Sequence, residues 1–129
     1  MAEHVRLRSP LLLWSFRALL TTALVVITWL ALSPSPPVDA GVSDKLQHAV
    51  AFLTLALLAD RSWPDADYWL PKALPLLAYG GLIELAQAGT AARTAEWLDL
   101  AANAAGLALY PLVGLTLQAI PGLRRWWTG

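Results

Sequence analysis

Hydrophobic residues in this chain form four long blocks instead of following the short period of an amphipathic surface helix. A helix needs roughly 20 mostly apolar residues to cross the hydrocarbon core of a bilayer, and each block comes near that length. The pattern predicts helices over about 11–32, 43–59, 71–88 and 98–120. Proline cannot continue a helix, so the run Ser-Pro-Ser-Pro-Pro at 33–37 ends the first one.

We therefore expect an all-α fold: one four-helix transmembrane domain over 11–120, with an N-terminal tail at 1–10 and a C-terminal tail at 121–129. Short cytoplasmic loops carry an excess of lysine and arginine. Only Lys45 and Arg93 fall on one side of the predicted helices, whereas seven basic residues fall on the other: Arg6, Arg8, Arg17, Arg61, Lys72, Arg124 and Arg125. This asymmetry predicts a multi-pass protein with both termini in the cytoplasm.

Two other interpretations of the blocks are less favourable. Arg6 and Arg8 precede an apolar run and 38–40 resembles a signal-peptide cleavage site, but the run exceeds the usual length of such a signal. A compact soluble bundle would have to bury nearly every face of three helices within 129 residues.

Composition narrows the function. Only 14% of residues are charged, against about 25% in ordinary soluble domains. The net charge is zero, so no basic field exists to hold nucleic acid, and membrane lipids are the expected partners. The absence of cysteine excludes disulfides, a thiolate nucleophile and cysteine-ligated metals.

The predicted topology brings the polar ends of three helices to the outer face of the membrane. The second helix begins there, the third ends there and the fourth begins there. Ionisable groups within membrane segments normally face the bundle interior or a wet cavity. We expect one outward-facing polar pocket, formed by Asp44, Lys45, His48, Glu84, Gln87, Arg93, Asp99 and Asn103. A structural clamp that only holds the helices together is the competing interpretation.

Three segments also carry a family resemblance. They are Asp-Lys-Leu-Gln-His-Ala-Val-Ala-Phe at 44–52, Tyr-Gly-Gly-Leu-Ile-Glu-Leu-Ala-Gln at 79–87, and, after Arg93, Glu-Trp-Leu-Asp-Leu-Ala-Ala-Asn-Ala-Ala-Gly at 96–106. In this order they resemble the VanZ-like family of small integral membrane proteins, over about half of the chain. Phe52 and Gly106 join the eight pocket residues as positions typical of the family. Residues 88–92 depart from the family by lacking aromatic and proline residues.

The resemblance implies a bacterial inner-membrane protein, in a family whose founding member resembles an accessory factor in resistance to the glycopeptide teicoplanin. The first functional hypothesis is a pocket that binds a cell-envelope component or a glycopeptide-type ligand and contributes to antibiotic resistance or envelope maintenance. Lys45 and Arg93 would pair with phosphate or carboxylate groups.

The alternative is an intramembrane hydrolase or transferase that acts on a lipid-linked envelope substrate. His48 would be the general base, held by Asp44 or Asp99, and Glu84 the acid. A metal ion on these groups is disfavoured because no second histidine lies nearby, so neither a metal nor a cofactor is expected. Transport ranks last, because four helices are too few to enclose a pathway without a homo-oligomer.

Overall fold

The computed structural model describes residues 9–33, 44–89 and 97–128, and side chains as far as Arg124. These residues form helices without any β-strand, so the all-α prediction is confirmed. The helices are α1 (Pro10–Leu32), α2 (Asp44–Ser62), α3 (Leu74–Ala88), α4 (Trp97–Ala119) and α5 (Pro121–Thr128), and a five-residue π-helical turn, Trp69–Ala73, leads into α3. The segment predicted as a C-terminal tail thus contains a short helix.

Two of these helices, α1 and α4, are long and apolar enough to cross a membrane. α1 begins with Ser9, whose hydroxyl accepts the backbone N–H of Leu12, followed by Pro10 at the first helical position. Both helices have 23 residues and are therefore roughly 35 Å long. Only Leu20 is buried along α1, which leaves most of that helix exposed.

The turn before α3 is wider than an α-helix because of two prolines. Neither Pro71 nor Pro75 has a backbone N–H, so the usual hydrogen bond from residue 75 to the carbonyl of residue 71 is missing. The backbone instead forms hydrogen bonds between residues five apart. Ala73 N–H donates to Tyr68 O at 2.8 Å, and Leu74 N–H donates to Trp69 O.

α2 and α4 run parallel and form the centre of the bundle. They approach so closely at Gly106 that a Cβ there would lie 2.2 Å from the carbonyl oxygen of Ala49. α1 and α3 flank this pair and are joined by a 2.6 Å hydrogen bond between the hydroxyls of Thr28 and Tyr79. The core contains Leu20, Phe52, Leu55, Ala56, Ala59, Leu76, Leu107 and Tyr110.

The distribution of polar and apolar side chains is opposite to that of a soluble bundle. Large apolar residues on the outer faces are more than half exposed, including Val25, Trp29, Val50, Leu82, Leu85, Leu112 and Leu115. The buried residues include charged and amide side chains: Arg61, Lys72, Glu84, Gln87, Asp99 and Asn103.

Candidate functional site

Five of the residues predicted to form a pocket lie together where α2 and α4 begin. We call Asp44, Lys45, His48, Asp99 and Asn103 the His48 cluster. These residues meet because the two helices run parallel. Lys45 in the first turn of α2 lies beside Asp99 in the first turn of α4, and His48 lies beside Asn103 one turn later.

Lys45 is the cation of the cluster. Its Nζ donates a hydrogen bond to Asp99 Oδ1 and lies 3.4 Å from Asp44 Oδ2. The Asp99 side chain is only 9% exposed, whereas that of Asp44 is 62% exposed. The lysine thus neutralises a buried carboxylate and an exposed one, and the exposed one opens the cluster to its surroundings.

His48 joins the same carboxylates to the interior of the bundle. Its Nδ1 lies 2.9 Å from Oδ1 of Asn103, a side chain that is 1% exposed. Its Nε2 lies 3.7 Å from Asp44 Oδ1 and 3.8 Å from Asp99 Oδ2. Both aspartates therefore face His48, and the sequence left open which one would.

Glu84 and Gln87 are buried on α3, but the contacts of Gln87 extend toward α1. Gln87 Nε2 donates to the carbonyl oxygen of Ala31 at 2.7 Å, and this carbonyl is in the last turn of α1, where helical carbonyls lack a partner within their own helix. Gly80 lies against Asn103, since a Cβ there would be 2.8 Å from Asn103 Nδ2. Glu84 follows one turn later on the same face of α3.

Two of the remaining family-like positions have roles in packing. Phe52 is 3% exposed in the core, and Gly106 allows α2 and α4 to touch. Arg93, the loop residue predicted to pair with an anionic ligand, lies outside the described residues.

A second polar network, absent from the sequence-based prediction, lies at the opposite end of the bundle. Asp60, Lys72 and Tyr110 form what we call the Asp60 cluster. Lys72 Nζ lies 2.6 Å from Asp60 Oδ1, and the hydroxyl of Tyr110 donates to Asp60 Oδ2, also at 2.6 Å. The Lys72 side chain is 2% exposed, whereas the sequence indicated this residue only as one of the seven basic residues on the predicted cytoplasmic side.

One sequence signal could have indicated this network. Tyr110 follows Asn103 by seven residues and therefore shares its face of α4, in the middle of an apolar block. Lys72 gave no such signal, because the π-helical turn determines which way it faces.

Tyr68 completes the packing at this end. Pro111 has no N–H to offer the carbonyl of Leu107 four residues earlier, and the Tyr68 hydroxyl donates to that carbonyl instead. Burial raises the pKa of the Tyr68 phenol above its ordinary value, and the negative charge of Asp60 raises it further. The hydroxyl therefore remains a donor at any ordinary pH.

Comparisons with protein-family models, with curated proteins and with solved structures find no match for this chain. The family resemblance therefore stays a prediction from the sequence.

Proposed function

We propose that this chain is a VanZ-like bacterial inner-membrane protein that crosses the membrane four times, with both termini in the cytoplasm. We further propose that its His48 cluster faces outward and binds a polar component of the cell envelope, contributing to antibiotic resistance or envelope maintenance. The observation that carries the proposal is the reversed distribution of side chains, with charged groups inside and large apolar groups outside.

This distribution matches a lipid environment. In water, a contiguous apolar surface on every side of a small protein would cause aggregation. In a bilayer, the same surface contacts lipid tails, and ionisable groups face the bundle interior, as Lys72, Glu84 and Asp99 do here. α1 and α4 already meet the length and hydropathy expected of membrane spans.

Two further features support crossing by α2 and α3. α2 exposes Leu46, Val50 and Leu57 along one stripe, and its charged residues lie only in its first and last turns. The π-helical turn and α3 together cover 69–88, a length of roughly 30 Å at 1.5 Å per residue, which equals the hydrocarbon thickness.

The charges of the His48 cluster indicate the chemistry of its ligand. Asp44 is mostly exposed and Lys45 is partly exposed, so the cluster offers a carboxylate and an ammonium side by side. Peptide termini and zwitterionic headgroups carry the complementary pair of charges. Hydrogen bonds between such ionised groups and the cluster's carboxylate and ammonium are stronger than hydrogen bonds between neutral groups. Peptidoglycan precursors, envelope lipids and glycopeptides all present such groups.

The topology can be tested with single cysteines, because the chain has none of its own. An Arg93→Cys variant should react with a membrane-impermeant maleimide in intact cells. An Arg124→Cys variant should react only after lysis, and it serves as the matched control. The opposite labelling pattern, or labelling of both variants in intact cells, would contradict the proposed topology.

Ligand binding can be tested by thermal stability in detergent, with envelope lipids, peptidoglycan precursors or glycopeptides added in turn. A ligand at about 100 times its Kd should stabilise the folded state by about 2.7 kcal/mol. Asp44→Asn and His48→Ala should remove the effect, whereas Asp65→Asn, an exposed loop change at the other end, should keep it. Absence of any shift in the wild type would favour the structural-clamp interpretation.

The alternative activity, an intramembrane hydrolase or transferase for a lipid-linked substrate, has one observation in its favour. Asn103 holds one nitrogen of His48, and the other nitrogen faces the two carboxylates, an arrangement that suits a general base. In that case His48→Ala should abolish turnover while ligand binding largely persists. Loss of binding alone would favour the binding protein.

A further inference from the structure

The carboxylates of Asp44 and Asp99 each face two nitrogen atoms, Lys45 Nζ with one oxygen and His48 Nε2 with the other. One oxygen of each carboxylate faces Lys45 Nζ, namely Asp44 Oδ2 and Asp99 Oδ1. The other oxygen of each faces His48 Nε2, at 3.7 Å for Asp44 Oδ1 and 3.8 Å for Asp99 Oδ2. The lysine ammonium lies within hydrogen-bonding distance of its two oxygens, whereas His48 is too far from its own pair to form a hydrogen bond.

The hydrogen bond to Asn103 determines which ring nitrogen of His48 carries the proton. An amide oxygen only accepts, so the 2.9 Å contact with Asn103 Oδ1 requires the proton on Nδ1. Nε2 is then the ring nitrogen available to a metal ion, and it faces one oxygen of each carboxylate. A divalent cation placed between these three atoms would have one nitrogen and two oxygen ligands.

The separations fit a metal ion of the zinc type. Zinc binds imidazole nitrogen and carboxylate oxygen at about 2.0–2.2 Å, so tetrahedral ligand atoms lie roughly 3.4 Å apart. The separations of 3.7 and 3.8 Å from His48 Nε2 differ from this value by a few tenths of an ångström. One ligand atom from each of Asp44, His48 and Asp99 lies within 4.8 Å of the other two.

We propose that Asp44, His48 and Asp99 bind one divalent transition-metal ion of the zinc class, with a coordination position left open. Imidazole disfavours magnesium and calcium, which prefer oxygen ligands only. Asn103 acts as a positioning residue, since metal-bound histidines commonly donate their second N–H to a partner that fixes the ring. The inference goes beyond the proposed envelope ligand, because metal binding needs no envelope component.

Lys45 allows a specific test of the proposal, because its ammonium competes with the metal ion for the carboxylates of Asp44 and Asp99. Removing this positive charge should strengthen metal binding, whereas removing any true ligand should weaken it. Lys45→Met keeps much of the side-chain length and should lower the Kd for the metal by about tenfold or more, since it removes a positive charge that contacts two of the ligand carboxylates and repels a cation.

The experiment measures Zn²⁺ binding to the purified full chain in detergent by calorimetry, and Co²⁺ binding by visible absorption. The wild type should bind one ion per chain with a tetrahedral-type Co²⁺ spectrum. Asn103→Ala should weaken binding by about 10–100-fold. His48→Ala and Asp99→Asn should weaken it more, and His4→Ala, which removes the other histidine of the chain, should leave it unchanged.

Two outcomes would overturn the proposal: no saturable Zn²⁺ binding by either the wild type or Lys45→Met, or binding that survives His48→Ala. The gain expected for Lys45→Met cannot arise from misfolding, and circular dichroism checks the helicity of the weakened variants. Repeating the envelope-ligand assay with and without Zn²⁺ separates the two proposals, because either binding event can fail while the other persists.

Discussion

The contact between α2 and α4 at Gly106 supports a quantitative prediction. A Cβ at this position would lie 2.2 Å from the carbonyl oxygen of Ala49 and 3.0 Å from the backbone nitrogen of Leu53. Ordinary contact begins at 3.4 Å, so Gly106→Ala requires the helices to separate locally by roughly 1.2 Å. Both neighbours are backbone atoms, and no side-chain rotation can relieve the clash.

The expected loss of stability follows from two opposing effects. Overpacking a rigid contact costs about 3 kcal/mol, at the upper end of the usual range. Replacing a helical glycine with alanine returns about 0.5–1 kcal/mol through reduced entropy of the unfolded chain. We therefore expect Gly106→Ala to lower the free energy of unfolding by about 2 kcal/mol. The separation would also stretch the 2.9 Å contact between His48 and Asn103, one turn earlier on α4.

The assay is unfolding in mixed micelles by titration with a denaturing detergent, followed by circular dichroism. Gly81→Ala is the matched control, because a Cβ there meets nothing within 4 Å. That variant should be more stable than the wild type by about 0.5–1 kcal/mol. A Gly106→Ala variant as stable as the wild type, or an equal loss of stability in both variants, would contradict the predicted clash.

Three further predictions test the opposite end of the bundle and the membrane spans. Tyr68→Phe removes the hydroxyl that donates to the Leu107 carbonyl and should lower the free energy of unfolding by about 1–2 kcal/mol in the same assay. A loss under about 0.3 kcal/mol would count against this hydrogen bond. Lys72→Met should lower the free energy of unfolding by about 2 kcal/mol, which is less than for a fully buried ion pair because Asp60 is 29% exposed. Adding Asp60→Asn should restore most of this stability, because no unpaired charge then remains. A double variant less stable than Lys72→Met alone would contradict this account. Leu82→Arg, at a site that is 66% exposed, should impair membrane insertion by about 2.5–3.5 kcal/mol in a glycosylation-based insertion assay, whereas unimpaired insertion would argue against α3 as a membrane span.

The sequence by itself determined the four long helices, though not the short α5, and the end of the bundle at which His48 and its neighbours meet. Both depend on local information. Block length and proline positions define where helices begin and end, and alternating helix direction in a bundle with short loops brings the first turns of α2 and α4 to the same end. Asp44 and His48 share a helix face through their spacing of four, as do Asp99 and Asn103.

Only the tertiary structure decided which groups touch. The spacing of residues along a helix shows which side chains share a face. It does not show which neighbouring helix that face turns toward, because this depends on close packing at positions such as Gly106. For that reason Gln87 reaches the end of α1, and both carboxylates face His48. Lys72 turns inward because two prolines widen the turn before α3, and this shift in helical phase cannot be derived from a regular period of 3.6 residues.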